Sequence, residues 1–229
     1  MNQTIIKIHN LSFTIMKIFF ILPLLFSFML CKAQSPVLPR YSNPDYASIA
    51  GAYYKDTFND YDRFEGTWQY SSGNTLLTIT LVKKEMQYID NSASPMLGVN
   101  YYEDILIGEY RYVENGIEKV NTLPNLQINY SDPYAYNLYG GIIQKYSSIP
   151  DVCIGCNPGE VRVALLFNEP NINIPGSVML YYFRHFTENG VEKSELTMTD
   201  QGFISHEQGT VSLNNKYSIP QQSFILIKE

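Results

Sequence analysis

Basic residues are scarce in this chain, with 16 lysines and arginines against 22 aspartates and glutamates and a formal charge of −6. No basic stripe is present, so binding to nucleic acid or to an anionic bilayer by charge is not expected. Gly-x-Ser-x-Gly, a phosphate-cradling glycine loop and a dinucleotide fingerprint are all missing, which argues against a serine-hydrolase elbow and against nucleotide cofactors. No cofactor is expected. Cysteine and histidine number three each, too few and too scattered for a finger-type zinc spacing. No stretch carries a convincing long helix.

One pattern occurs twice. Glu109–Lys119 and Phe183–Lys193 each run from alternating aromatics through Glu-Asn-Gly into a β-branched residue, Glu and Lys. A two-residue type I′ turn needs positive φ at both central positions, and Asn-Gly supplies this with the least strain. Each copy therefore reads as a β-hairpin. The alternation of Leu77, Ile79 and Leu81 with Thr78 and Thr80 marks a half-buried strand over Thr75–Val82. Further strands are expected at Phe64–Tyr70, Met86–Ile89, Tyr101–Val113, Gly116–Thr122, Leu126–Tyr130, Val161–Phe167, Val178–Thr187, Val191–Thr199, Thr210–Leu213 and Phe224–Ile227. Gly108 marks a bulge or a close approach of backbone. About eleven strands at this spacing predict an all-β fold, an antiparallel barrel or closed sandwich of lipocalin-like type.

The N-terminus reads as an export signal. Lys17 precedes the apolar run Ile18–Leu30, which has signal-peptide length and is too short to span a bilayer; Met16 is the expected start. Cys31-Lys-Ala33 places small residues where a signal peptidase inspects them, so cleavage after Ala33 would leave a chain beginning at Gln34. Lipidation of Cys31 is the alternative, against which stands the large Leu30 where a lipobox has a small residue. Removing residues 1–33 leaves 13 bases against 22 acids, a charge of −9. No transmembrane segment is expected after that removal. Residues 34–61, rich in Pro, Tyr, Asn and Asp, read as an irregular arm with at most a short helix near Asp45–Ala50. Residues 62–229 read as a single antiparallel β domain, in which Ser131–Pro150 is a long connection of the kind that carries function or conceals structure.

Gly66-x-Trp68 at the opening of a strand resembles the start of lipocalin-like barrels. A broader resemblance rests on Cys31-Lys-Ala-Gln34, Tyr54-Lys-Asp56, Phe64-Glu-Gly-Thr-Trp68, Asp104-x-Leu-x-Gly-Glu-Tyr110 and the Cys-x-x-Cys loop. On these residues the chain is similar to an uncharacterised family of small secreted proteins of Gram-negative bacteria, a domain of unknown function. That resemblance implies a secreted β fold and brings no catalytic residues.

Cys153 and Cys156 have three readings. A zinc site needs two more ligands, and only His185 and His206 remain in the exported chain, on separate elements. A thioredoxin-like pair needs a strand-to-helix setting that is lacking. In an oxidising compartment the two close a small disulfide ring, the expected state, with no metal. Tyr134, Tyr136 and Tyr139, set in a loop, are the tyrosines expected to bind a ligand, since such rings stack on sugars or line small clefts. Asp56, Asp60, Asp62 and Glu65 lack the EF-hand ligand order and read as a solvated acidic turn. Glu114, Glu118, Glu188 and Glu192, beside lysines at hairpin turns, read as cross-strand charge pairs.

No catalytic constellation is visible and no catalytic residue is assigned, so a non-enzymatic role is expected over an enzymatic one. The first expectation is binding of a small molecule or glycan in a barrel mouth or aromatic cleft. The second is a structural or protein-interaction component of the cell envelope, with an envelope protein as partner. A carboxylate-based hydrolase built on acids such as Glu103 and Asp104 is the third, decided only by carboxyl separation in space.

Overall fold

The computed structural model describes residues 35–41, 43–92, 98–146, 153, 155–172, 174, 177–201 and 216–229. The expected signal segment with Cys31, the strand expected at Thr210–Leu213 and His206 lie outside the described residues. Strands form at β1 (Val37–Pro39), β2 (Tyr53–Lys55), β3 (Gly66–Ser72), β4 (Thr75–Ile89), β5 (Tyr101–Glu114), β6 (Ile117–Asn121), β7 (Leu138–Lys145), β8 (Val161–Phe167), β9 (Met179–Glu188), β10 (Val191–Asp200) and β11 (Phe224–Lys228). Eight of them close an antiparallel barrel in the order β5-β4-β3-β11-β10-β9-β8-β7, with β7 pairing back onto β5. The barrel form of the expected all-β fold is thus the one adopted.

Closure depends on β5, whose one edge is shared among three partners. Tyr102 and Glu103 pair with β2, Leu106–Gly108 with β7, and Arg111–Glu114 with β6. A strand of 14 residues would otherwise present a long row of unpaired backbone groups. Both Asn-Gly turns form as expected: Asn115 and Asn189 each have φ 53°, and Gly116 and Gly190 each have φ 77°. Their flanking charges pair, Lys193 with Glu188 at 2.6 Å and Lys119 with Glu114 at 3.7 Å.

Alternation sends one face of each strand inward. Trp68, Leu77, Ile79, Leu81, Leu106, Tyr110, Tyr112, Val163, Leu165, Phe167, Tyr181, Phe183, Leu196, Phe224 and Leu226 fill the barrel. Each such large side chain contributes about 1.5–3 kcal/mol by leaving water. Phe167 and Tyr181 stack with centroids 4.3 Å apart, and the Trp68 indole donates to the Phe64 carbonyl at 2.7 Å. The interior is a packed core.

Several expectations need correction. Leu126–Tyr130 is not a strand; a 3₁₀ turn occupies Leu123–Gln127, with Pro124 at its start, where a missing N–H costs nothing. Met86–Ile89 is the end of β4, reached through a bulge between Lys84 and Gln87 in which Met86 has φ 50°. The connection after Ser131 conceals β7, and Asp45–Ala50 forms turns rather than a helix. Asp56 and Asp60 are 2 % exposed, so their segment is no solvated turn. Asp56 accepts from the amides of Asp60 and Tyr61 and pairs with Lys83 at 3.4 Å, while Asp60 pairs with Lys145 at 2.6 Å.

The segment before β3 is tied to β5. Asp104 accepts from the Asp56 and Met86 amides at 2.9 and 3.0 Å and from the Tyr53 hydroxyl at 2.5 Å. Glu103 is held by Arg40, by the Tyr46 hydroxyl and, at 3.5 Å, by the Tyr134 hydroxyl. These acids lie on opposite faces of β5 and are each engaged.

Candidate functional site

Four antiparallel strands, β7 to β10, turn their alternate positions outward, and these mix polar side chains, Arg162, Tyr182, Arg184, Glu195 and Thr197, with apolar ones, Ile142, Leu166 and Leu180. Register aligns Gln144 with Arg162, Arg162 with Arg184, and Arg184 with Glu195, one row across four strands. The adjacent row runs Ile142, Ala164, Tyr182, Thr197, and the next Tyr139, Leu166, Leu180, Thr199. Ala164 lies between Ile142 and Tyr182 and is 1 % exposed. A groove of about 470 Å³ lies on this surface, lined by Gln144, Arg162, Tyr182, Arg184, Glu195, Thr197 and Thr199, with Cys153 at its rim.

The Cys153–Cys156 loop forms that rim. The two sulfurs are joined, with Cα atoms 5.5 Å apart, and the Cys153 amide donates to the Lys145 carbonyl at 3.3 Å. Just beyond, Glu160 accepts from the Asn157 amide at 3.2 Å and from Arg162 Nε at 2.7 Å. Burial alone would raise the Glu160 carboxyl. The Asn157 amide, the bonded Arg162 and the nearby Arg184 charge together hold it below the ordinary glutamate range. Burial pushes the Tyr182 phenol up, so it stands in the groove as a neutral hydroxyl.

Arg184 donates from Nε and Nη2 to Glu195 at 2.8 and 2.6 Å, and its guanidinium lies 4.8 Å from the centre of the Phe186 ring. The arrangement offers fixed donors, hydroxyls and one aromatic ring. Cys153, Cys156 and Glu160 place ligand-type atoms within 4.8 Å of one another. In this state the disulfide engages both sulfurs and Arg162 engages Glu160, so the three residues act as a rim.

The three tyrosines singled out in the sequence do not share one surface. Tyr134 and Tyr139 meet with ring centroids 5.2 Å apart. Burial and the Glu103 charge raise the Tyr134 phenol, leaving it a neutral donor. Tyr136 turns inward, is 2 % exposed, and donates to the Ile128 carbonyl at 2.8 Å while packing against Ile105 and Ile107. Tyr139 shares its row with Thr199, at the end of the groove. Arg162, Arg184, Tyr182 and Thr197 escaped the sequence reading. Their outward facing follows from alternation, but their meeting depends on register between strands.

A family model described as a family of unknown function, DUF6705, matches residues 16–229. The chain belongs to this family. No curated protein and no solved structure matches it. Membership agrees with the resemblance to an uncharacterised family, and the description of DUF6705 transfers no residue role to the groove. In this DUF6705 protein no helix among the described residues is long and apolar enough to cross a membrane.

Proposed function

We propose that this protein is an exported, non-enzymatic binding protein that takes a small molecule or glycan in the groove over β7–β10. The observation that carries the reading is the row Gln144, Arg162, Arg184, Glu195 set in a recess of about 470 Å³. That volume lies within the range of small-ligand sites. Its lining of hydroxyls, an amide, charged forks and one tyrosine ring suits a polyhydroxylated ligand more than an apolar one. The packed barrel interior directs the reading to the outer wall.

Export is supported by Lys17 with Ile18–Leu30 and by a Cys-x-x-Cys loop joined as a disulfide, a state that persists in oxidising compartments. Native and denaturing mass spectra of the protein exported by a Gram-negative host test both parts. The expected result is a chain starting at Gln34, unacylated, two hydrogens lighter at its cysteine pair. Titration of isotope-labelled protein with an oligosaccharide panel then should move the amide resonances of Tyr182, Thr197 and Thr199. If saturating members of the panel move only resonances elsewhere, the groove is not the site.

A further inference from the structure

We infer that the ligand of this groove carries one carboxylate, as an acidic sugar does, and that Arg162 and Arg184 receive it together. This rests on the binding reading above and narrows its ligand class. Arg162 and Arg184 are direct register partners on β8 and β9, which sets their Cβ atoms about 4.5–5.5 Å apart. Like charges placed opposite one another on a sheet face repel. Neither side chain fills the barrel core, so packing gives no reason for the pair.

Each guanidinium is instead held from one side. Glu160 accepts from Arg162 Nε, and Glu195 accepts from Nε and Nη2 of Arg184. These carboxylates fix the planes of the two forks. Both terminal nitrogens of Arg162 and Nη1 of Arg184 make no hydrogen bond to the described residues. Neighbouring forks whose remaining donors no described residue engages match a carboxylate, whose two oxygens accept several bonds in one plane.

Charge counting limits the ligand further. Arg162, Arg184 and Glu195 line the groove and Glu160 lies just beyond it, so the lining carries one net positive charge that a single carboxylate balances, while a polyphosphate brings charge with no counterpart there. The remaining lining describes the body that bears the carboxylate. Thr197, Thr199 and Gln144 pair with ring hydroxyls, and the Tyr182 ring offers the flat surface on which a pyranose face stacks.

The test is calorimetric titration of the exported full chain with oligosaccharides in matched pairs, ending in a neutral hexose or in glucuronate or N-acetylneuraminate, plus one sulfated member. Acidic members are expected to bind about tenfold or more tighter than their neutral matches, and Arg184→Gln or Arg162→Gln to weaken them by a similar factor. Arg184→Lys keeps the charge and removes the fork. It serves as the reading variant if a glutamine variant lacks the native circular dichroism. Equal binding of acidic and neutral members, acidic binding indifferent to these substitutions, or binding of the sulfated member alone overturns the carboxylate assignment and leaves the binding reading standing. No binding by any member overturns both.

Discussion

Arg40 and Glu103, 63 positions apart, meet in a buried ion pair in which Nε and Nη2 both lie 3.1 Å from one carboxylate oxygen. The side chains are 9 % and 2 % exposed, and the guanidinium also donates to the Gly141 carbonyl at 2.5 Å. The pair fastens β1's trailing end to β5 and, through Gly141, to β7. Removing one partner leaves the other charge buried and uncompensated, at a cost of about 3–5 kcal/mol. Arg40→Ala should therefore lower the urea midpoint by that equivalent at an unchanged denaturant slope. The paired change Arg40→Met with Glu103→Leu should restore most of the loss, because it removes both charges. A single variant within about 1 kcal/mol of the parent would mean that the pair is solvated.

Gly108 sits where β5 is flanked by β4 and β7, opposite Leu81 on one side and Leu138 on the other. A Cβ there would lie 2.6 Å from Leu81 Cδ2 and 2.8 Å from the Thr80 carbonyl oxygen. The leucine tip can turn aside, but the carbonyl belongs to the neighbouring strand. Gly108→Ala should cost about 1–3 kcal/mol by forcing β4 and β5 apart. Thermal unfolding followed by circular dichroism checks this, and an unchanged melting temperature would show that the strands yield freely.

The sequence announces what depends on neighbours along the chain and hides what depends on neighbours across it. Asn115-Gly116 and Asn189-Gly190 fix their turns within two residues, so both hairpins were legible. Gly108 was legible as a bulge or a close backbone approach, and the structure has the approach. Strand β7 was not, because Gly140 and Gly141, at φ 115° and 122°, carry a bulge that breaks the alternation. A Cβ on Gly141 would also meet the Tyr61 hydroxyl at 2.5 Å. Strands β1 and β2 have three residues each and exist through parallel pairing, β1 with β2 and β2 with β5. In the groove, Arg162 between Val161 and Val163 reads as outward-facing, yet nothing local says that Arg184 lies beside it.

His185 faces the barrel interior, edge-on to Phe64 and Trp68 with centroids 6.3 and 6.1 Å away. Its Nε2 and the Oγ of its register partner Ser194 are buried without a hydrogen-bond partner among the described residues. Burial lowers the imidazole below its ordinary 6.5; Glu192 pulls the other way, and Arg63 and Lys228 add to the lowering. The unfolded chain therefore binds the proton more readily, and stability rises with pH across that window. The contribution is complete above 6.5 and is lost as pH falls through the depressed folded value. His185→Phe should flatten the dependence of unfolding free energy on pH below about 6.5. If the slope persists in that variant, another group produces it. Ser194→Ala should leave stability within about 0.5 kcal/mol or raise it, since the lost hydroxyl has no bond to break.

Cys153 and Cys156 close a ring across a separation of three positions. Chain-entropy scaling for so short a loop gives about 2 kcal/mol, so replacing both with serine should lower global stability by no more than that. The larger effect should be local. The Cys156 amide donates to the Cys153 carbonyl and the Glu160 amide to the Asn157 carbonyl, and Glu160 in turn sets the Arg162 fork. Without the ring these bonds open by local fluctuation rather than by global unfolding. Hydrogen exchange at the Cys156-position and Glu160 amides should accelerate about tenfold or more in the double variant, while Val163 and Leu165 inside β8 keep their protection. Uniform acceleration across β8 would assign the disulfide to barrel stability. Unchanged exchange at Glu160 would mean that Asn157 and Arg162 hold the rim without it.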